Sequence, residues 1–282
     1  MNQMQNKKFY PWLVVIMLWF VALLNYLDRQ MLTTMRPSMM VDIEELVSAE
    51  NFGRLMAIFL WIYALMSPIS GVIADRLNRK WLIVGSLFVW SSVTLLMGYA
   101  ETFNQLYVLR AIMGVSEAFY IPAGLALISD YHQGTTRSIA TGIHTTGIYL
   151  GQALGGFGAV YAVMTSWQFT FHSLGIIGIV YSLVLIIFLR EKKTYSVDKA
   201  LNTNPLKNFF SSFRGIAMLL SNISFWVLLF YFAAPSLPGW ATKNWLPTLF
   251  SETLNIDMAQ AGPMATVTIA MASLVGVLLG GY

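Results

Sequence analysis

The sequence predicts an all-α polytopic membrane protein, and three observations predict it. Charged residues make up 11% of the 282-residue chain and apolar residues 57%, against about 25% and 45–50% in an ordinary soluble domain. Mean hydropathy is +0.63. The apolar residues gather into segments of the length, roughly 20 residues, that a helix needs to cross the hydrocarbon core. A soluble fold of this composition would leave large apolar areas in water, and a disordered chain would be poor in apolar residues. Barrel strands would show short alternation, which these segments lack. In lipid, backbone groups must then bond within their own segment, as a helix does.

Eight spans are read in order: 11–35, 53–74, 81–100, 105–129, 138–163, 167–190, 219–249 and 260–282. The first begins at Pro11 and outruns the roughly 7–15 residues of a cleavable signal core. The fifth carries Gly147, Gly151 and Gly155 every four residues, a close-packing face. The seventh is long and holds Pro235 and Pro238 beside Gly239. Helix breakers at membrane depth fit where a cavity or neighbour satisfies the backbone, so this span is expected to bend as a gating helix. Residues 1–190 read as a six-helix bundle and 191–218 as a cytoplasmic linker. Residues 219–282 read as the first two helices of a second, incomplete bundle.

Lysine and arginine set the orientation. With the N-terminus cytoplasmic, 12 of the 17 basic residues fall on inside segments, including Lys7, Lys8, Arg76, Arg79, Lys80 and Arg190. The expected location is therefore the plasma (inner) membrane, multi-pass. Basic residues spread between spans do not form a nucleic-acid stripe, so no nucleic-acid partner is expected. The lipid bilayer is the expected surround, with a monomer when complete.

Span two runs from Gly53 to Gly71, and span eight offers Gly262 and Gly280 at the same separation. A repeat on this register places the chain end, Tyr282, two residues short of the position matching Asp75. The expectation is a C-terminally truncated twelve-helix protein showing eight helices.

Four stretches carry a family resemblance. Gly71-Val-Ile-Ala-Asp75-Arg76-Leu-Asn-Arg79-Lys80 resembles the signature between the second and third helices of the major facilitator superfamily, with Asn78 where the family often has Gly. Physically, Gly71 would let helices approach closely. Asp75 would accept bonds from an adjacent helix N-terminus. Asn25–Arg29, the pattern Arg110, Gly114, Glu117, Pro122, and Asn244–Pro247 are similar to the anion:cation symporter branch, whose members carry hexuronates, galactonates and related organic anions. The resemblance implies the major facilitator fold and conformational gating by Gly71, Asp75, Arg76, Arg79 and Lys80. It implies proton coupling at Asp28 and Glu117 and anion binding at Arg29.

The residues support the same reading on their own terms. Asp28, Arg29, Arg110 and Glu117 are ionisable residues inside spans, each costing about 2.5–3.5 kcal/mol at the bilayer centre. Arg110 and Glu117, seven apart, return to one helix face about 10 Å apart, with Gly114 between them leaving room. With both acids ionised the four sum to zero. Each proton adds one positive charge, so an anion binds best when protons are present. Arg29 or Arg110 would grip a carboxylate through a bidentate fork. A static ion-pair network joining two helices is the alternative. Further substrate contacts are expected from Tyr26, His144, Gln152, Tyr231 and Asn244, with Trp240 beside them. Gln152 stands where the superfamily's antiporter signature has proline, which leans toward symport.

No cofactor is expected beyond a coupling ion, the proton. His132, His144 and His172 lack metal spacing, and there is no HExxH, GxSxG or nucleophile–base pair to suggest an enzyme. The expected function is proton-coupled symport of a small organic anion or sugar acid by alternating access. The alternatives are a carrier of neutral sugars, drugs or lipids, and a non-transporting truncated remnant.

Overall fold

The computed structural model of the chain describes residues 2–192 and 218–280. Most of the expected linker, the basic residues Lys193, Lys199, Lys207 and Arg214 within it, and Tyr282 lie outside them. Ten α-helices follow in order among the described residues: α1 (Asn2–Met39), α2 (Ala49–Ala74), α3 (Arg79–Met97), α4 (Phe103–Glu117), α5 (Tyr120–Tyr131), α6 (Thr135–Gly155), α7 (Gly158–Met164), α8 (Trp167–Phe188), α9 (Ile223–Leu254) and α10 (Met258–Gly280). Among the described residues they provide seven segments long and apolar enough to cross a membrane, or eight when a bent pair is counted as one span. α4 and α5 act as one, and α6 and α7 form a pair bent by 43°.

Two spans that read as continuous are broken. The fourth breaks at Ala118–Phe119, directly after Glu117. Pro122 explains it: proline has no N–H to give the carbonyl four residues back, and its ring crowds that carbonyl. The fifth breaks at Gly156–Phe157, in a run of small residues that stiffen the backbone little. The seventh, expected to bend at its prolines, is not interrupted by them. α9 remains one helix of 32 residues through Pro235, Pro238 and Pro247. Its end is set instead by Asn255, which adopts the left-handed conformation (φ 51°) that ends many helices.

The first six spans share one core, with Leu18, Leu32, Met35, Phe52, Trp90 and Phe171 wholly or almost wholly buried. Its tightest seam joins α1 to α6. A Cβ at Gly147 would lie 2.6 Å from the Trp19 carbonyl and one at Gly155 2.9 Å from that of Leu27, while one at Gly151 would run into the Leu23 carbonyl. Gly158 continues the row against the Met31 carbonyl at 2.9 Å. The partners Trp19, Leu23, Leu27 and Met31 recur every four residues, one helical turn and a little more. Small residues allow this backbone approach, which is how helices associate where lipid removes the hydrophobic drive.

α9 and α10 meet this bundle near the Met39 end of α1. Trp245 packs edge-on against Phe52 at 5.8 Å. The Arg36 guanidinium lies 5.0 Å from the Phe52 ring and 5.9 Å from that of Trp245, and it donates to the Leu46 and Val47 carbonyls. Gly156 and Gly262 bring α10 against the α6–α7 bend. Toward the opposite end α9 presents Ile223, Val227 and Tyr231 outward.

Candidate functional site

A cavity of about 600 Å³ lies where α1, α2, α4 and α6 face α9. Its walls can be built helix by helix. α1 supplies Tyr26, Arg29 and Gln30 from one turn. α2 supplies Met56, Phe59 and Leu60. α4 supplies Arg110, and α6 supplies Thr145, Tyr149 and Gln152. α9 supplies two strips at helical spacing, Ser236, Trp240, Asn244 and Pro235, Gly239, Lys243. The volume falls in the usual range for small-molecule sites, about 300–1,000 Å³.

The buried charges are organised behind and along this wall. Arg29 Nε donates to Glu117 Oε2 at 2.5 Å, and Glu117 is wholly buried. The guanidinium of Arg29 lies 4.8, 4.7 and 5.0 Å from the rings of Tyr26, Phe59 and Tyr63. Arg110 lies 4.5 Å from the same Phe59 ring. One aromatic ring therefore lies against two guanidinium groups, and its electron-rich faces offset part of their mutual repulsion. Gly114 makes this possible in a way other than expected. It does not merely leave room between Arg110 and Glu117. It admits the α2 backbone, since a Cβ there would come within 2.7 Å of the Phe59 carbonyl. Asp28 is 5% exposed, sits away from the cavity wall and accepts a hydrogen bond from the Thr94 hydroxyl of α3.

Of the residues expected to contact substrate, Tyr26, Arg29, Arg110, Gln152 and Asn244 share the cavity wall. Arg110 Nε and Gln152 Oε1 are buried with no hydrogen-bond partner. Two expectations need correction. His144 is buried behind the wall, its Nε2 2.8 Å from the Tyr120 hydroxyl, which itself donates to the Leu18 carbonyl. Tyr231 is 73% exposed and one turn beyond Pro235, outside the reach of the cavity.

The loop motif also differs in part from expectation. Among the described residues, a Cβ at Gly71 would meet nothing within 4 Å, so none of them approaches closely there. Asp75 is exposed and ends α2, its N–H bonded to the Gly71 carbonyl at 3.2 Å, while the N-terminus of α3 is capped by Asn78 instead. Asn78 has the side-chain oxygen such a cap requires. Arg76 lies in this connection. Arg79 pairs with Asp130 at the end of α5, and Lys80 donates through its Nζ to the Ile186 carbonyl at 2.7 Å. The motif thus ties α3 to α5 and α8.

Lys243 is the cavity residue that sequence reasoning passed over. It lies within the seventh expected span, 219–249. The four-residue recurrence of Pro235, Gly239 and Lys243 was the available signal. Phe59, Tyr63 and Thr94 were also missed, because apolar and hydroxyl residues inside a span carry no mark of which charge they will face.

The family model described as Major Facilitator Superfamily matches residues 18–282. The chain belongs to the Major Facilitator Superfamily. Within that superfamily it is 26% identical over 290 residues to the hexuronate transporter of Escherichia coli (strain K12), covering 99% of this chain and 66% of the relative. It is 26% identical over 285 residues to the galacturonate transporter of Dickeya chrysanthemi, covering 96% of this chain and 80% of that one. A crystal structure of a bacterial homologue to the human lysosomal transporter Spinster superposes with a TM-score of 0.74 at 23% identity, over 96% of this chain and 62% of that one. The chain thus spans just under two thirds of the hexuronate transporter's length.

Proposed function

We propose that the chain forms the substrate-binding part of a secondary active transporter that carries a small organic anion, a sugar acid, by proton-coupled symport. The observation that carries this reading is the cavity wall. It holds Arg29, Arg110 and Lys243, with no Asp or Glu among its lining residues. Amide and hydroxyl groups on the same wall (Gln30, Gln152, Asn244, Thr145) suit the hydroxyls of a sugar acid. The names of the hexuronate and galacturonate relatives point the same way.

Coupling follows from charge. With Asp28 and Glu117 ionised, the two acids and three cations sum to +1, and each proton taken up adds one. A site that gains charge on protonation binds an anion better in acid, and by reciprocity the anion favours proton uptake. Glu117 is placed to couple the two, since its proton would release Arg29 to the substrate. The excess of Lys and Arg on one set of connecting segments supports a cytoplasmic N-terminus in an inner (plasma) membrane. The enzyme reading gains nothing from this site, which offers no nucleophile–base pair.

The test is uptake of a panel of labelled sugar acids in vesicles at two external pH values. Uptake should rise as external pH falls. Glu117→Gln should bind substrate yet lose proton-driven accumulation. Wild-type accumulation by that variant would overturn the coupling role, and competition by neutral sugars instead of sugar acids would overturn the substrate class.

A further inference from the structure

The wall carries more positive charge than one carboxylate requires. Arg29 is already matched by Glu117 at 2.5 Å. Among the described residues, the ion pairs within 4.0 Å are Arg29–Glu117 and Arg79–Asp130, so neither Arg110 nor Lys243 has a carboxylate partner. Both line the cavity. Arg110 is 2% exposed, and its Nε has no hydrogen-bond partner. The two cations come from α4 and α9, helices that share no packing seam. They therefore offer separate grips on two sides of one space.

The position of Lys243 is itself held by the cavity. Pro247 has no N–H to bond the Lys243 carbonyl four residues back. The Gln30 side-chain amide of α1 donates to that carbonyl instead, at 3.5 Å. This contact pins the Lys243 turn of α9 opposite the Arg29 turn of α1. A missing backbone bond in one helix is thus made good from across the cavity, and it is made at the residue that carries the charge.

We propose that Lys243 is a specificity-determining residue that supplies a second anion grip, so that the cavity prefers a sugar acid charged at both ends to one charged at a single end. The inference rests on the sugar-acid reading above. Arg110 takes one carboxylate, Lys243 takes the other, and the hydroxyl-bearing carbons between them face Gln152 and Asn244. A dianion would bridge α4 and α9 and draw them together. While Glu117 is ionised and holds Arg29, a monoanion would leave one of Arg110 and Lys243 without a carboxylate.

The experiment measures binding to the full-length protein in detergent by titration calorimetry. The two probes are galacturonate, with one carboxylate, and galactarate, with the same carbon skeleton and two. The wild type should bind galactarate about 10-fold or more tighter, the effect of one added charge-assisted contact. Lys243→Gln should lower galactarate affinity about 10-fold more than galacturonate affinity, and Lys243→Arg should keep the preference. Equal weakening of both ligands by Lys243→Gln would overturn the inference, as would a wild type without the preference, while leaving the sugar-acid reading intact. Binding of neither ligand would overturn that reading and this inference with it.

Discussion

α1 faces two neighbours, and it meets them by opposite means. Against α6 and the start of α7 it packs backbone to backbone, with Gly147, Gly151, Gly155 and the following Gly158 set on carbonyls that recur every four residues. Against α9 it keeps its distance across a cavity, bridged by the contact from Gln30 to the Lys243 carbonyl. The same contrast holds for burial. α4 buries Leu106, Arg110, Met113, Gly114, Ser116 and Glu117, whereas α9 buries Asn244 and Pro247. Small residues at a four-residue spacing weld α1 to α6, while the strips of α9 that face α1 mix Pro, Gly and Ser with Trp240, Lys243 and Asn244 and border a space. One helix can therefore be a rigid wall on one side and a binding surface on the other.

The largest expected effect comes from attacking the welded side. Gly151→Leu places a side chain into the Leu23 backbone, which cannot turn aside as a side chain would. Overpacking costs about 1–3 kcal/mol even where neighbours yield, so loss of monodisperse protein on size exclusion is expected. Gly239→Leu in α9 is the matched control. A Cβ there meets nothing within 4 Å, so the thermal midpoint should stay near wild type. Similar damage from both variants would erase the comparison.

Next in size is the charge pair that connects α1 to α4. Arg29→Gln leaves Glu117 buried without its cation and should lower stability by about 3–5 kcal/mol in thermal unfolding. The double variant Arg29→Gln with Glu117→Gln should recover most of that loss, since it leaves no unmatched charge. Gln30→Leu should cost about 1 kcal/mol. Its clearer sign would be a broader distance distribution between spin labels on α1 and α9, with the α1–α6 distance unchanged. Smallest is Arg79→Gln at the start of α3, where a partly exposed pair with Asp130 should be worth about 1 kcal/mol or less in the same melting assay.

The eight crossings were legible because hydropathy over twenty residues is a strong signal, and Asp28, Arg29, Arg110 and Glu117 stood out because charge inside a span is expensive. The glycine row of α6 was legible from its spacing alone. What the sequence did not disclose is pairwise. Nothing in the residue Phe59 says that it will lie against two guanidinium groups. Nothing in His144 says that Tyr120 will engage it before any substrate does. Proline was misleading in both directions. Pro122 helps break span four, while Pro235 and Pro238 leave α9 intact, because the outcome depends on what else satisfies the freed carbonyls. Gly71 reads like the glycines of α6, yet among the described residues nothing lies within 4 Å of where its Cβ would be, a property of its surroundings and not of the residue.

The glycine row of α6 has a mechanical consequence. Gly147, Gly151 and Gly155, keyed to three carbonyls of α1, act as teeth on a rack. Sliding α6 along α1 by a small amount would drive every Cα onto a neighbouring peptide, so the next permitted setting is a full tooth away, about 6 Å along the axis. The registry of the two helices is therefore quantised rather than continuous. Thermal motion can tilt the pair as one beam, but it cannot creep along the seam. Any displacement smaller than a tooth must be taken up elsewhere, where α1 faces the open space and α9.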